Sequence, residues 1–202
     1  AIIIPYFLKR NCFVIKGIRD QNNIGSNFMT VKPMKTLIIG GAASGKSAHA
    51  EGLASNSKLN KIYLASANIY DEEMQLKVDK HKIRRGDDWT TISEPLEAKE
   101  KITYLKDNQI MLFDCATMWL TNQMLDKADV QSEISQLIDS IILSKGSIIV
   151  VTNEVGSGIV PENSMARQFR ELQGHLNQEL ASISDSVIQV IAGLPLFLKQ
   201  PL

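Results

Sequence analysis

This chain of 202 residues lacks several features that define large classes of protein. Its two cysteines, Cys12 and Cys115, are too few for a disulfide scaffold or a thiolate zinc site, which favours a reducing compartment. The 22 basic and 22 acidic side chains cancel, so no excess positive charge favours binding to nucleic acid or to an anionic membrane. We therefore expect a cytoplasmic protein with neither nucleic acid nor membrane as a partner.

Long hydrophobic runs are also missing. The opening run from Ala1 to Leu8 is too short to cross a bilayer. Its charged residues, Lys9 and Arg10, follow the apolar stretch, whereas a secretory signal places its charges before it. The sequence therefore predicts that the protein is not exported.

The first 33 residues differ in charge from the rest of the chain. They hold five basic residues against one acidic residue, a net charge of +4, and the remaining 17 basic and 21 acidic residues give −4. Residues 1–33 are either an extension that packs on the domain or sequence upstream of a true start at Met34. We favour the second interpretation, because the periodic pattern begins only at Lys35, and expect one domain over residues 34–202.

From Lys35 onward, short apolar runs alternate with segments of helical period, which predicts an α/β fold with a parallel sheet. The near-continuous hydrophobicity of the runs predicts strands that are buried on both faces. The predicted strands are Thr36 to Ile39, Lys61 to Ala65, Ile110 to Phe113, Ser147 to Val151 and Val187 to Ile191, with Leu196 to Leu198 as an extra edge.

Two apolar stripes at helical spacing predict helices that cover this sheet. One stripe is Ile134, Leu137, Ile138, Ile141 and Ile142, and the other is Met165, Phe169, Leu172, Leu176 and Leu180. We assign both stripes to core packing. Ligands of such sheets bind beyond the carboxyl ends of the strands, so the residues just after each strand are candidates for function.

A phosphate-binding motif of the form G-x4-G-K-[ST] follows the first strand and precedes a helical segment. Its residues are Gly40, Gly41, Ala42, Ala43, Ser44, Gly45, Lys46 and Ser47. The glycines let backbone N–H groups curl around a phosphate, Lys46 adds a cation and Ser47 offers a hydroxyl to Mg²⁺. The motif predicts a P-loop NTPase-like (RecA-like) three-layer sandwich with a mostly parallel central sheet; a simple glycine-rich turn is the alternative.

A P-loop enzyme also needs a carboxylate at the end of a neighbouring strand to hold the water shell of its metal. Asp114 follows the predicted strand Ile110 to Phe113 and meets this need. Aspartates at strand ends also cap helices and turns, which is the structural alternative.

The segment from Asp71 to Arg85 predicts a helix, with acidic residues in its first turn and basic residues in its last. His81 lies on its apolar face, so it is either a packed core histidine or a covalent acceptor of phosphorus. The spacing alone does not decide between these roles. His49 and His175 rank below it.

A long segment of small and polar residues follows the fourth predicted strand. Because it leaves the carboxyl end of a buried strand, it is expected to face the ligand, and Glu154 is its candidate substrate contact. Alternatively, Gly156 and Gly158 only form a turn before a helix that begins at Pro161.

Taken together, the chain from Lys35 to Lys199 resembles the bifunctional adenosylcobinamide kinase/adenosylcobinamide-phosphate guanylyltransferase family of cobalamin biosynthesis. Four motifs in a fixed order carry the resemblance. They are Gly40 to Ser47, then Asp71 to Met74 leading to His81 and Trp89, then Asp114 with Thr117 and Leu120 to Asn122, and finally Val151 to Gly156 with Ile159 to Asn163.

The resemblance implies two reactions. A nucleoside triphosphate phosphorylates adenosylcobinamide, and GTP then donates GMP to the adenosylcobinamide phosphate through a guanylyl-histidine at His81. GTP, ATP and Mg²⁺ are the implied ligands, Lys46 is catalytic, and Ser47 and Asp114 hold the metal. Beyond the P-loop, the implied nucleotide contacts are Ala65, Ser66, Ala67, Lys82, Ile83, Arg84, Arg85, Glu94 and Asp114. The family also implies a homo-oligomer, a trimer.

The sequence departs from the family at several positions. Ala43 stands where the family usually has arginine, and Lys80 and Lys82 flank His81 where arginine is common, so the bidentate grip of a guanidinium is lost there. Residues 1–33 have no counterpart in the family pattern. A monofunctional P-loop kinase of a small molecule is the alternative function. A regulatory GTP- or ATP-binding protein is less favoured, because the guanine-reading N-K-x-D motif is absent.

Overall fold

The structure is a computed structural model that describes residues 32–68, 85–126 and 129–201. A seven-stranded sheet forms the centre of this part of the chain. Its strands are β1 Lys35–Gly40, β2 Asn60–Ala65, β3 Trp89–Ser93, β4 Gln109–Asp114, β5 Ser147–Asn153, β6 Ser186–Ile191 and β7 Leu194–Lys199. Their spatial order is β3-β2-β4-β5-β1-β6-β7, and only β6 and β7 pair in the antiparallel sense. The predicted mostly parallel α/β sheet is confirmed.

The five predicted core strands all form, and the predicted extra edge at Leu196 to Leu198 is part of β7. β3 is not predicted by the hydrophobic pattern. Its sequence, Trp-Thr-Thr-Ile-Ser, has few aliphatic residues because it forms the opposite edge of the sheet, where Thr90, Thr91 and Ser93 are exposed.

Five helices complete the described part of the fold: α1 Lys46–Ser55, α2 Ala98–Thr103, α3 Ala116–Leu125, α4 Val130–Leu143 and α5 Ser164–Ile183. Successive residues of β1 and of β4 enter different clusters; Leu37 and Met111 face one core, while Ile38 and Leu112 face the other. α1 contributes to the second cluster and the other four helices to the first. The sheet is therefore covered on both sides, and the predicted three-layer sandwich is confirmed.

The helical stripes are correct except at two positions. Ile134, Leu137 and Ile141 of α4 are buried, whereas Ile142 is 47% exposed. In α5, Met165 is 61% exposed, so assigning it to the core is wrong. Both exceptions lie in a terminal turn of their helix, where the stripe continues past the core that it covers.

The predicted start of a helix at Pro161 is wrong by three residues. α5 begins at Ser164, and the Asn163 side chain accepts a hydrogen bond from the Ala166 amide at 3.2 Å. This cap satisfies an N–H group that has no partner within the helix, which is why the helix begins after Asn163.

The sequence pattern does not predict α2 and α3. α3 buries residues around most of its circumference, including Trp119, Leu120, Asn122 and Gln123, and therefore shows no simple amphipathic stripe. α2 has only six residues, too few for a periodic signal.

Some predictions fall outside the described residues. These are the N-terminal segment, apart from Lys32 and Pro33, and the predicted helix from Asp71 to Arg85, apart from Arg85 itself. The predicted domain start at Met34, one residue before β1, stays a prediction. Of the helices that the structure describes, none has the length and apolar character needed to cross a membrane.

Candidate active site

The loop from Gly40 to Ser47 connects β1 to α1, in the strand–loop–helix order that the motif predicts. Gly45, at the N-cap of α1, has a φ of 92°, and Ala43 has a φ of 54°; these left-handed residues turn the backbone sharply. The Lys46 ammonium donates to the carbonyl oxygen of Gly41 at 3.0 Å. The result is a curled backbone at the N-terminus of a helix, an arrangement that binds phosphate.

The turn between β6 and β7 supports this loop from behind. The Gly193 amide donates to the Ser44 carbonyl at 2.8 Å, and a Cβ atom added at Gly45 would lie 3.2 Å from the Cα of Gly193. A Cβ at Gly40 would lie 2.5 Å from Ser44 Oγ and 2.6 Å from the carbonyl oxygen of Val190. The loop is thus held against β6 with no room for a side chain at Gly40, a contact that the motif does not predict.

Asp114 is the last residue of β4, as predicted, and lies at the same edge of the sheet as the phosphate loop. β5 separates β4 from β1, with Asp114 paired to Val151 and Gly40 paired to Asn153. Burial, followed by the charge of Asp114, raises the pKa of the adjacent Cys115 thiol to about 11. Cys115 is therefore a neutral thiol.

A buried group of side chains lies next to Asp114. The Tyr63 hydroxyl donates to Asp114 Oδ2 at 3.2 Å, and the Arg85 guanidinium lies 3.5 Å from the centroid of the Tyr63 ring. Arg85 Nη1 is 3.6 Å from Glu51 Oε1 on α1. Burial and the charge of Asp114 raise the pKa of Tyr63 far above its ordinary value, so the phenol stays protonated and donates. Sequence reasoning does not identify Glu51 or Tyr63.

Ser66 follows β2 and joins it to the start of α3. Its hydroxyl donates to the Cys115 carbonyl at 2.7 Å and accepts from the Cys115 amide at 2.9 Å. The Asn122 side chain donates to the Ser66 carbonyl at 2.7 Å. Ser66 is fully buried, so its side chain has a structural role, and nucleotide contacts from Ala65 to Ala67 stay a prediction.

Glu94 follows β3 and organises the entry to α2. Its Oε1 accepts from the amides of Leu96 and Glu97 at 3.3 and 3.1 Å, and its Oε2 is 3.6 Å from the Lys101 ammonium. Burial alone would raise the pKa of Glu94, but these amides and the lysine outweigh burial and lower it. The carboxylate is ionised, and its predicted contact with nucleotide stays a prediction.

The loop after β5 is organised by two charged side chains. Glu154 Oε1 accepts from the Gly156 amide at 2.6 Å and Oε2 accepts from the Ser157 amide at 3.2 Å. Arg170 on α5 donates to the Gly156 carbonyl. Burial acts to raise the pKa of Glu154, but the Ser157 and Gly156 bonds and the Arg170 charge lower it overall. Glu154 thus orders its own loop, and a direct contact with substrate stays a prediction.

A buried polar network fixes the end of β5. The Thr117 hydroxyl accepts from the Asn153 amide at 2.8 Å, and the Asn177 side chain donates to the Asn153 carbonyl at 3.0 Å. Gln173 donates to both Thr152 Oγ1 and Asn177 Oδ1, at 3.0 and 2.9 Å. The family motifs include Thr117, Thr152 and Asn153, but the sequence does not predict that these residues form a network with Gln173 and Asn177 of α5.

Two of the three histidines lie within the described residues. His81 lies outside the described residues, together with Lys82, Ile83 and Arg84. His49 on α1 is half-buried, and burial lowers its pKa. His175 on α5 is exposed.

Two solved structures have a similar fold. A type III secretion system ATPase from pathogenic bacteria matches with a TM-score of 0.55 and 14% identity, covering 82% of this chain. The ATPase EscN of enteropathogenic E. coli matches with a TM-score of 0.50 and 15% identity, covering 79% of this chain. This chain spans 57% and 43% of those two proteins, respectively. At this identity the similarity shows the fold alone, and it confirms the predicted P-loop NTPase-like class.

Two curated proteins are similar over nearly their whole length. The bifunctional adenosylcobalamin biosynthesis protein CobU of Escherichia coli is 34% identical over 182 residues, which cover 82% of this chain and all of that protein. The corresponding protein CobP of Pseudomonas aeruginosa is 38% identical over 169 residues, covering 82% of this chain and 98% of that protein.

The family model for cobinamide kinase / cobinamide phosphate guanyltransferase matches residues 36–198, nearly the span of the resemblance found in the sequence. This match includes the phosphate loop, Asp114 and the loop that carries Glu154. The chain therefore belongs to the cobinamide kinase / cobinamide phosphate guanyltransferase family and is a transferase.

Proposed function

We propose that this protein phosphorylates adenosylcobinamide with a nucleoside triphosphate and then converts the product to adenosylcobinamide-GDP with GTP. The phosphate loop carries the proposal, since its backbone, Lys46 and the neighbouring Asp114 meet at one edge of the sheet in a chain of this family. ATP or GTP serves the first reaction. The cytoplasmic location stays a prediction from the composition.

In the first reaction, the hydroxyl of the aminopropanol arm attacks the terminal phosphorus of the triphosphate. The bond from this phosphorus to the bridging oxygen breaks, a nucleoside diphosphate leaves, and the hydroxyl proton passes to water. The N–H groups of the loop and the Lys46 ammonium stabilise the negative charge on the phosphate oxygens, because both lie at the N-terminus of α1.

In the second reaction, a neutral imidazole nitrogen of His81 attacks the α-phosphorus of GTP and pyrophosphate leaves. A phosphate oxygen of adenosylcobinamide phosphate then attacks the same phosphorus, which forms adenosylcobinamide-GDP and frees His81. Two successive displacements avoid a direct attack of the substrate phosphate on the polyanionic triphosphate of GTP.

The described residues fit a magnesium ion. Ser47 supplies a hydroxyl and Asp114 a carboxylate, both hard oxygen donors of the kind that Mg²⁺ prefers. Among residues 32–68, 85–126 and 129–201, no group of three or more His, Cys, Asp or Glu could hold a metal, so phosphate oxygens and water would supply the other ligands. When bound, the ion neutralises charge on the phosphates.

Labelling with GTP that is radioactive at the α-phosphate tests the guanylyl-histidine. We expect acid-labile label on the wild-type protein and on His175→Ala, the matched control, and none on His81→Ala. Phosphorylation of adenosylcobinamide from a γ-labelled nucleotide should survive in His81→Ala, because the first reaction does not use the histidine. It should disappear in Lys46→Ala, because the Lys46 ammonium stabilises the charge on the phosphate oxygens.

Other outcomes separate the alternatives. Phosphorylation without any label on the wild-type protein would indicate a monofunctional kinase. Nucleotide binding without transfer to adenosylcobinamide would indicate a regulatory protein. Label that persists in His81→Ala would overturn the role of His81.

We also propose a homo-oligomer, with a trimer as the family resemblance implies. The edge strand β7 supports self-association, since Leu194, Leu196, Phe197 and Leu198 are all at least half exposed.

A further inference from the structure

Tyr63, Arg85 and Glu51 form a buried chain of contacts that ends at the carboxylate of Asp114. The Arg85 side chain is 2% exposed and the Glu51 side chain 6%, with 3.6 Å between Nη1 and Oε1. The Arg85 guanidinium lies over the Tyr63 ring, and the Tyr63 hydroxyl donates to Asp114 Oδ2 at 3.2 Å. The contacts therefore connect α1, which begins in the phosphate loop, to the end of β4.

Burying an arginine away from water is costly unless opposite charge and close packing compensate. Glu51 supplies the charge, and the face of the Tyr63 ring supplies an electron-rich surface for the guanidinium. Arg85 and Glu51 thus hold the ring between α1 and the sheet, which limits the positions that its hydroxyl can occupy.

A carboxylate that binds the water shell of a metal works only when its oxygens are held in place. The hydroxyl of Tyr63 donates to Asp114 across two neighbouring strands, since Tyr63 lies on β2 and Asp114 at the end of β4. This bond engages one carboxylate oxygen and restricts rotation of the side chain. A phenylalanine at this position would keep the ring under Arg85 but remove the bond.

We propose that Tyr63 is a positioning residue that orients Asp114 for the metal–nucleotide complex, and that Arg85 holds Tyr63 in place. This inference rests on the metal role of Asp114 in the proposed function. It gives Arg85 a different role from the direct nucleotide contact that the family resemblance implies, because its guanidinium is packed between Glu51 and Tyr63.

The test is the affinity for the fluorescent analogue N-methylanthraniloyl-GTP, measured with Mg²⁺ and again with EDTA. The dissociation constant in EDTA divided by the dissociation constant with Mg²⁺ reports the contribution of the metal to affinity. We expect Tyr63→Phe to reduce this ratio by about three- to tenfold, as loss of one oriented hydrogen bond implies, with little change in EDTA. Arg85→Lys should also reduce this ratio of dissociation constants, because lysine keeps the charge but does not stack on the Tyr63 ring as a planar group.

Tyr104→Phe is the matched control, since Tyr104 is 81% exposed and undergoes the same chemical change. Its ratio should equal that of the wild type. Tyr63→Phe with a wild-type ratio, or with equal losses of affinity in Mg²⁺ and EDTA, would overturn the role of Tyr63, and a wild-type ratio in Arg85→Lys would overturn that of Arg85. Thermal melting of each variant separates loss of folding from loss of metal-dependent binding.

Asp114→Asn separates this inference from the proposed function. If Asp114→Asn abolishes the effect of Mg²⁺ but Tyr63→Phe does not change it, only the positioning role fails. If Asp114→Asn keeps the wild-type ratio, the metal role of Asp114 fails and the positioning role with it. A wild-type protein that does not bind the analogue would contradict the proposed function itself.

Discussion

At the scale of single residues, two adjacent glycines of the phosphate loop have different surroundings. A Cβ at Gly40 would overlap Ser44 Oγ and the carbonyl oxygen of Val190, whereas a Cβ at Gly41 would meet nothing within 4 Å. We expect Gly40→Ala to weaken GTP binding about fivefold or more, because forced overpacking costs about 1–3 kcal/mol and about 1.4 kcal/mol is tenfold in affinity. Gly41→Ala should bind nearly as well as the wild type.

Isothermal titration of both variants with GTP and Mg²⁺ makes the comparison. Equal affinities would show that the loop can move away from β6 and that the contact with Val190 has no part in nucleotide binding. The motif G-x4-G-K-[ST] fixes Gly40 and leaves the position of Gly41 variable, and the contact between the loop and β6 gives a physical reason for this difference.

At the scale of elements, the loop between β5 and α5 depends on an ionised Glu154. The pKa of Glu154 is lowered in the folded protein, so its contribution to stability is present above the ordinary value of 4.5 and is lost as the pH falls below it. We expect the free energy of unfolding of the wild type to fall on acidification through this range, and to fall less in Glu154→Gln. Urea unfolding at several pH values provides the measurement.

Glu162→Gln controls for the loss of one negative charge, because Glu162 is exposed on the same loop. If Glu154→Gln shows the same loss of stability at low pH as the wild type, the bonds to Gly156 and Ser157 do not stabilise the fold. Retained catalysis in Glu154→Gln would further indicate that Glu154 acts on the loop and not on the substrate.

At the scale of the whole molecule, β7 presents an apolar edge. Phe197 is 50% exposed and Leu194 is 71% exposed, on a strand that pairs only with β6 within the described sheet. We expect wild-type protein to sediment as an oligomer and Phe197→Asp to sediment as a smaller species, since a charge in an apolar interface is costly. Sedimentation velocity at several concentrations checks this.

Tyr104→Asp is the control, because it adds the same charge at an exposed aromatic residue after α2. An oligomer that is unchanged in Phe197→Asp, with an unchanged melting temperature, would show that β7 is not the interface. A monomeric wild type would contradict the oligomer itself.

The sequence by itself determined the parallel α/β class, the five core strands and the position of the phosphate loop. These follow from local patterns: short apolar runs between segments of helical period, a glycine-rich motif and the residues just after each strand, all of which depend on neighbours a few positions apart. The order of the four family motifs likewise needed no structure. β3 and α3 escaped prediction because an exposed edge strand and a helix buried on most sides lack those patterns.

Only the tertiary structure decided which side chains meet. Tyr63 and Asp114 are 51 positions apart, and their hydrogen bond exists because β2 and β4 are neighbours in the sheet. Gly193 supports the phosphate loop for the same kind of reason, since β6 lies beside β1. Strand order and register are set by packing of the whole domain, and no pattern within a single segment records them.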